Sequence, residues 1–390
     1  GEVRGPLHGV PLAVKDLFWV KETAPNAGGI VFRDLKAPHD AEVVTRLEKA
    51  GAIILGKLRM SEAALAAHHP DLPIPLNPWD GDAWIGASSS GNAAATAAGL
   101  CYGSLATDTG GSIRFPTAAT GLTGLKPTWG AVSARGSVEF AASLDHIGPM
   151  ARSANDCRTL WQVIRNADLP VAKRSITRLG IDPRFMAECD QDTQAVLENV
   201  IATLSQQGIE FTEVSLPPVE PMVDDWTPTC AVEAGVFHEE TFRARPQEYG
   251  PQVRTFLEQG LAMPAVEYER MRRRRTQFEH DTRHALADVD GVLLQVTGIA
   301  GPDAQYLDRI GVGEEWRRKI MMATCPINFL GYPALTMPGG FTETGRPIGF
   351  QIVAKPHYED QLLDVGEQFQ ERTQFHTHYP NIGSQLGGVQ

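Results

Sequence analysis

Apolar runs of strand length alternate with helical segments along the whole sequence. That pattern leaves an α/β architecture with a mixed or mostly parallel sheet, and little else. The stretch DAEVVTRLEKAG, Asp40 to Gly51, reads as a helix with an Asp cap and a Gly stop, and AIILGK (52–57) follows as a buried strand. SSGNAAATAAGLC (89–101) carries small residues at helical spacing, suited to close packing on a sheet, and GSLATDT (103–109) is the next strand. The alternation resumes after about residue 150. ITRLGI (176–181) is strand-like; Asp190 to Gly208 is an amphipathic helix with Val196, Leu197, Val200, Ile201 and Leu204 on one face; IEFTEVSL (209–216) is a strand. The Pro-rich SLPPVEPMVDDWTP (215–228) is expected to be a loop or boundary. Pro264 opens a long helix to about Asp288, GVLLQV (291–296) is a buried strand, and residues 333–353 form a hairpin turning near Gly345.

Composition then removes whole classes of function. The 390 residues are 42% hydrophobic and 21% charged, as in a water-soluble globular protein. A formal net charge of −12 argues against nucleic-acid partners and anionic membrane surfaces. The basic run Arg272–Arg275 lies among Glu and Gln residues and reads as a solvated helix face, with a salt-bridged interface as the alternative. Five widely spaced cysteines without a CxxC pair speak against a disulfide framework or thiolate zinc site, and fit a reducing, cytoplasmic location. No apolar stretch reaches the roughly 18–20 residues of a membrane span. The opening GEVRGPLHGVPLAVKD has no Met and no signal-like segment, so the sequence reads as beginning in mid-domain, with an N-terminal helical part missing.

Several motif matches dissolve on inspection. GAIILGKL (51–58) has phosphate-loop spacing, but Leu58 stands where a hydroxyl must bind magnesium, and the glycine begins a strand instead of following one. His68 and His69 are adjacent, so in an extended segment they point to opposite faces; a pocket wall or surface loop suits them better than a metal. GGSIR lacks the last glycine of a nucleophile elbow.

What remains is GASSSG (86–91), GGSIR (110–114) and the lysine closing GVPLAVKD. A serine hydroxyl needs a base to become a nucleophile. A lysine can be that base only when neutral, and burial lowers its pKa because the charged form loses hydration. Lys15 ends an apolar run, as that role requires, and a second serine can relay the proton. Paired glycines leave backbone N–H groups open to a substrate oxygen.

At these residues the sequence resembles the amidase signature family of serine hydrolases. GVPLAVKD, GASSSGNAAATAAG, TDTGGSIRFPTAATGLTGLKPTWG, SLDHIGP and GYPALTMPGGF stand in the family's order over nearly the whole chain. The resemblance implies one large domain, 1–390, whose mixed β-sheet core carries helices on both faces (α/β/α). Residues 1–160 would form the catalytic core, and 215–290 a variable helical region that shapes the substrate site. It also implies a Ser–cisSer–Lys triad: Ser112 as nucleophile, Ser88 as the bridging serine after a cis peptide, Lys15 as base. The amides of Thr109, Gly110, Gly111 and Ser112 would hold the oxyanion. Asp108 and Arg114 would shape the loop, and Ser89 and Ser90 would cap or pack the following helix. Ala87, where glycine is frequent, and Ser90 depart from the commonest pattern without touching a reacting group.

No metal or organic cofactor is implied. The expected partner is a small-molecule amide, ester or carbamate; a homodimer is left open. Residues 60–80, Trp129, Phe140 and 217–263 with Trp226 and Phe237 are apolar and aromatic, which points to a neutral, hydrophobic or aryl substrate. Two alternatives stay open: the amidase component of a tRNA-dependent glutamine amidotransferase, and a catalytically silent binding relative.

Overall fold

Pro11–Lys15 (β1) is a short strand with four successive buried side chains, so the lysine is carried into the interior by the strand itself. The computed structural model describes residues 2–170, 172–311 and 313–382. The other strands are β2 (Ile53–Leu58), β3 (Gly103–Asp108), β4 (Thr123–Lys126), β5 (His146–Ala151), β6 (Arg178–Ile181), β7 (Glu210–Glu213), β8 (Gly291–Gln295), β9 (Ala334–Phe341) and β10 (Pro347–Ala354). All lie in one sheet of order β2-β1-β3-β5-β4-β9-β10-β8-β6-β7. Both wings are parallel (β2, β1 and β3; β8, β6 and β7), while the centre from β3 through β5, β4, β9 and β10 to β8 is antiparallel. The hairpin β9–β10 turns through Gly345 at φ +85°, as its sequence suggests.

Helices cover both faces. Ser90–Ala97 (α2) and Arg114–Thr120 (α3) pack on each other and on the strands of one face. Glu42–Lys49 (α1), Ala154–Ile164 (α4), Glu359–Thr373 and Gln191–Gln206 form the other layer. The small residues of α2 serve the packing that the sequence suggests: a Cβ on Gly91 would sit 2.3 Å from the Arg59 carbonyl oxygen. The amphipathic helix expected from Asp190 runs Gln191–Gln206, and Asp190 caps it by accepting from the Thr193 amide.

Three expectations are corrected. Residues 215–228 are not one loop: a 25-residue helix, Glu220–Ala244, begins inside them with a proline in its first turn and carries Pro228 within it. Proline suits the first turn. The interior proline forfeits one hydrogen bond, which burial of Met222, Val223, Cys230, Ala231 and Ala234 offsets. The strand β2 is not buried; it is a sheet edge, with Ile53 and Leu55 about half exposed. Asp40 does not cap α1: its carboxylate accepts from the Lys21 amide at 2.7 Å, and Ala41 holds the cap position without a side-chain bond.

Candidate active site

Parallel pairing of β1 with β3 sets Val14 opposite Leu105, so the ends of the two strands bring Lys15 beside Thr107. The Lys15 side chain is fully buried. Its Nζ lies 2.7 Å from Ser88 Oγ and 2.8 Å from Thr107 Oγ1. Burial lowers the Lys15 pKa from 10.5 to about 7; attraction to Asp145 and Asp108 limits the fall. At neutral pH a large share of this lysine is therefore the free amine. Both hydroxyl oxygens lie within hydrogen-bond distance of the amine. The Ala87–Ser88 peptide is cis. Gly86 precedes it at φ +85°, where a Cβ would come within 2.4 Å of the Pro116 nitrogen, so this turn is seated against the start of α3.

Ser112 is carried to the site by a loop wound around one carboxylate. Buried Asp108 accepts from the amides of Gly111 (2.9 Å), Ile113 (3.0 Å) and Arg114 (3.3 Å), from Arg114 Nε (3.0 Å) and from Asn328 Nδ2 (2.9 Å). Arg114, also fully buried, donates onward to Gln351, the Thr324 carbonyl and Asn328. Burial opposes ionisation of Asp108, but the Arg114 guanidinium, Lys126 and Asn328 outweigh it and hold the carboxyl well below the usual range. Asp108 and Arg114 thus shape the loop, as the sequence suggests. Arg114→Met leaves a buried carboxylate without its cation and should cost about 3–5 kcal/mol. The midpoint of urea unfolding reports it; a shift no larger than that of the exposed control Arg243→Met would contradict this account.

The two glycines have separate steric reasons. A Cβ on Gly110 would lie 2.6 Å from the Trp226 ring, and one on Gly111, at φ +135°, 2.4 Å from the Phe115 ring. Of the four amides expected to line an oxyanion pocket, that of Gly111 is already engaged by Asp108, whose carboxylate draws the N–H inward. The amides of Thr109, Gly110 and Ser112 donate to no acceptor among the described residues. The Thr109 peptide is fixed from two sides: Trp226 Nε1 donates to its carbonyl at 2.9 Å, and its hydroxyl donates to Asp145 at 2.5 Å. Burial raises the Asp145 carboxyl to about 6, against the pull of Thr109 and the Phe140 and Ala141 amides.

The structure therefore joins Lys15 to Ser88 directly, and places Ser112 on the neighbouring loop. Among the described residues the Ser112 hydroxyl makes no hydrogen bond, so the contact that would complete a relay is not formed. Ser89 sits at the α2 cap position without capping and its hydroxyl reaches the Thr107 carbonyl at 3.3 Å; Ser90 is buried in packing. Thr107 and Asp145 are not singled out by the sequence, although both lie inside quoted motifs. The signal for Thr107 is register: it sits near the end of the strand beside Lys15.

The other singled-out residues disperse. Trp226 touches the loop that carries Ser112, and buried Phe140 packs between Trp226 and Phe256, with ring centroids 6.0 and 5.6 Å away. Trp129 and Phe237 are exposed and elsewhere. His69 is buried, and His68 lines a cleft beside Met60. The arginine run divides. Arg272 and Arg273 pair with Glu269 on the surface, while Arg274 grips Asp225 through two 2.7 Å bonds and Arg275 donates to the Phe329 and Ser143 carbonyls. The solvated-face expectation thus holds for half of the run; the rest joins helix Ala265–Ala285 to its neighbours. The five cysteines are buried free thiols. Among the described residues no helix is long and apolar enough to cross a membrane.

The sequence profile described as Amidase matches residues 1–363. The chain belongs to the amidase family. As a member it is a hydrolase of carbon–nitrogen bonds. It is 43% identical over 397 residues to a putative amidase, AmiD, of Mycobacterium tuberculosis (strain ATCC 25618 / H37Rv), covering 98% of this chain and 84% of that one. It is 33% identical to a glutamyl-tRNA(Gln) amidotransferase subunit of Roseiflexus castenholzii (strain DSM 13941 / HLO8), covering 97% of this chain and 85% of that one. Among solved structures, a crystal structure of an amidase superposes with a TM-score of 0.84 at 32% identity, covering 95% of this chain and 86% of that one. The 6-aminohexanoate cyclic dimer hydrolase complexed with substrate shares the fold at TM-score 0.85 and 24% identity, covering 97% of this chain and 88% of that one.

Proposed function

We propose that this amidase hydrolyses a small-molecule amide through an acyl-enzyme on Ser112, with Ser88 as proton relay and Lys15 as base. The observation that carries the reading is the fully buried Lys15, its pKa brought to about 7, held 2.7 Å from Ser88 Oγ. A hydrogen bond from the Ser112 hydroxyl to Ser88 would complete the chain. The Lys15 lone pair takes the Ser88 proton as Ser88 takes that of Ser112, and Ser112 Oγ forms a bond to the acyl carbon. The carbonyl electron pair moves onto oxygen, where the amides of Thr109, Gly110 and Ser112 donate to it; Gly111 contributes by turning the backbone. Lys15 returns the proton through Ser88 to the departing nitrogen, which leaves as a neutral amine. Water then cleaves the ester by the same relay in reverse.

Trp226, against Gly110, offers an apolar wall to the substrate, in keeping with a hydrophobic or aryl group at the scissile bond. Esters and aryl carbamates meet the same chemistry. The small-molecule reading is favoured over an amidotransferase component by the higher identity to AmiD, 43% against 33%. The test is a fluorophosphonate probe followed by peptide mass spectrometry. The label is expected on Ser112; a label on another serine, or none, would reject the mechanism.

A further inference from the structure

A cleft of about 480 Å3 opens beside the segments that follow β1 and β2. Its walls include Asp16, Asn26, Gly28, Arg33, Lys57, Arg59, Met60 and His68. Two backbone bonds tie its inner wall to the catalytic segment: the Ser61 amide donates to the Ser88 carbonyl at 3.1 Å, and the Gly91 amide to the Arg59 carbonyl at 2.9 Å. From the other side, Asp16 follows Lys15 directly, and its carbonyl accepts from Ala27 at 3.2 Å. Gly28 closes the wall against Met60, where a Cβ would come within 2.5 Å of the Met60 carbonyl. The cleft wall is thus bonded through the backbone to the segments that carry Lys15 and Ser88, and its volume suits part of a small ligand.

Its charge is unlike that of the chain. Asp16 is the one carboxylate in the wall, and Lys57 neutralises it at 2.8 Å. Burial keeps His68 toward its neutral form. Arg33 is held only loosely, with Asp34 at 3.7 Å and Glu248 at 3.8 Å. Arg59 pairs with no carboxylate among the described residues. In a protein of net charge −12, this leaves a cationic cleft whose wall begins one residue after Lys15. A guanidinium presents a planar fork of donors that matches a carboxylate.

We infer that the cleft is a substrate subsite for a carboxylate, held by Arg59 with Arg33 in support, so that the preferred substrates are amides bearing a free carboxyl group. This rests on the proposed reaction at Ser112. The apolar part of such a substrate would lie toward Trp226 and the carboxylate toward Arg59.

The experiment measures kcat/KM for two matched pairs, 4-acetamidobenzoate against acetanilide and succinamate against butanamide. In at least one pair the acid is expected to be preferred. Arg59→Met should reduce that preference by about ten- to a hundred-fold, mainly through KM. Arg59→Lys should restore part of it, which a merely structural role for Arg59 would not produce. No preference for the acid in either pair, or a preference that survives Arg59→Met, overturns the subsite. Ser112→Ala separates the two claims: if it abolishes turnover while no acid is preferred, only the subsite fails; if turnover persists, the reaction itself is misassigned.

Discussion

Ser112→Ala is expected to lower amide turnover by roughly four to six orders of magnitude and to abolish fluorophosphonate labelling, without unfolding the protein. The size of the effect follows from the site. Ser112 sits on the loop whose own amides at 109, 110 and 112 donate to no acceptor among the described residues. Ser88 is instead engaged by Lys15 at 2.7 Å. Alanine at 112 keeps the loop, because Asp108 organises it through the amides of residues 111, 113 and 114 and not through the serine side chain. Circular dichroism and the unfolding midpoint should therefore match the parent while the rate vanishes. A rate within tenfold of the parent would remove Ser112 from the mechanism.

Lys15→Met is expected to slow acylation by about 10²–10⁴-fold, the usual contribution of a positioned general base. The pH dependence distinguishes this from damage to the fold. With a pKa near 7, the base is inactive when protonated, so kcat/KM should rise through pH 7 and level off above it. Stability runs the same way. The unfolded chain binds this proton near 10.5 and the folded chain only near 7, so Lys15 weakens the fold at low pH, and the weakening fades as pH rises from 7 to 10.5. Removing the amine should thus spare or raise stability at pH 6 while abolishing the acid limb of the rate profile. Asp145→Asn gives the complementary result. Asp145 attracts the Lys15 proton, so its loss should move the acid limb to lower pH, while the loosened Thr109 peptide lowers the plateau rate. An unmoved limb in Asp145→Asn would show that the two groups do not interact.

The α/β class, most strand and helix positions, and the residues proposed to react were legible in the chain, because each is written locally. Alternating apolar runs specify β1, β3 and β8, and the Asp190 cap and apolar face specify the helix after it. Glycine pairs around Ser112 announce crowding or backbone access before any neighbour is known. The local signal failed where tertiary contacts overrule it. Prolines at 221 and 228 suggest a break, yet burial of one helix face outweighs them. The apolar run at 52–57 suggests a core strand, yet sheet order leaves it at an edge.

Tertiary structure alone decided how the groups act. Lys15 owes its lowered pKa to complete burial, and its place beside Thr107 to the pairing of strands about ninety residues apart in sequence. The Gly111 amide was open to either role until the Asp108 carboxylate claimed it. The charge of the neighbouring cleft was equally hidden: apolar windows such as 60–80 suggested a neutral substrate, but Arg59 and Arg33 come from segments on either side of β2 and meet only in the folded wall. Residue identity fixes which chemistry is available. Desolvation and proximity, which exist only once the chain has folded, select which of it is used.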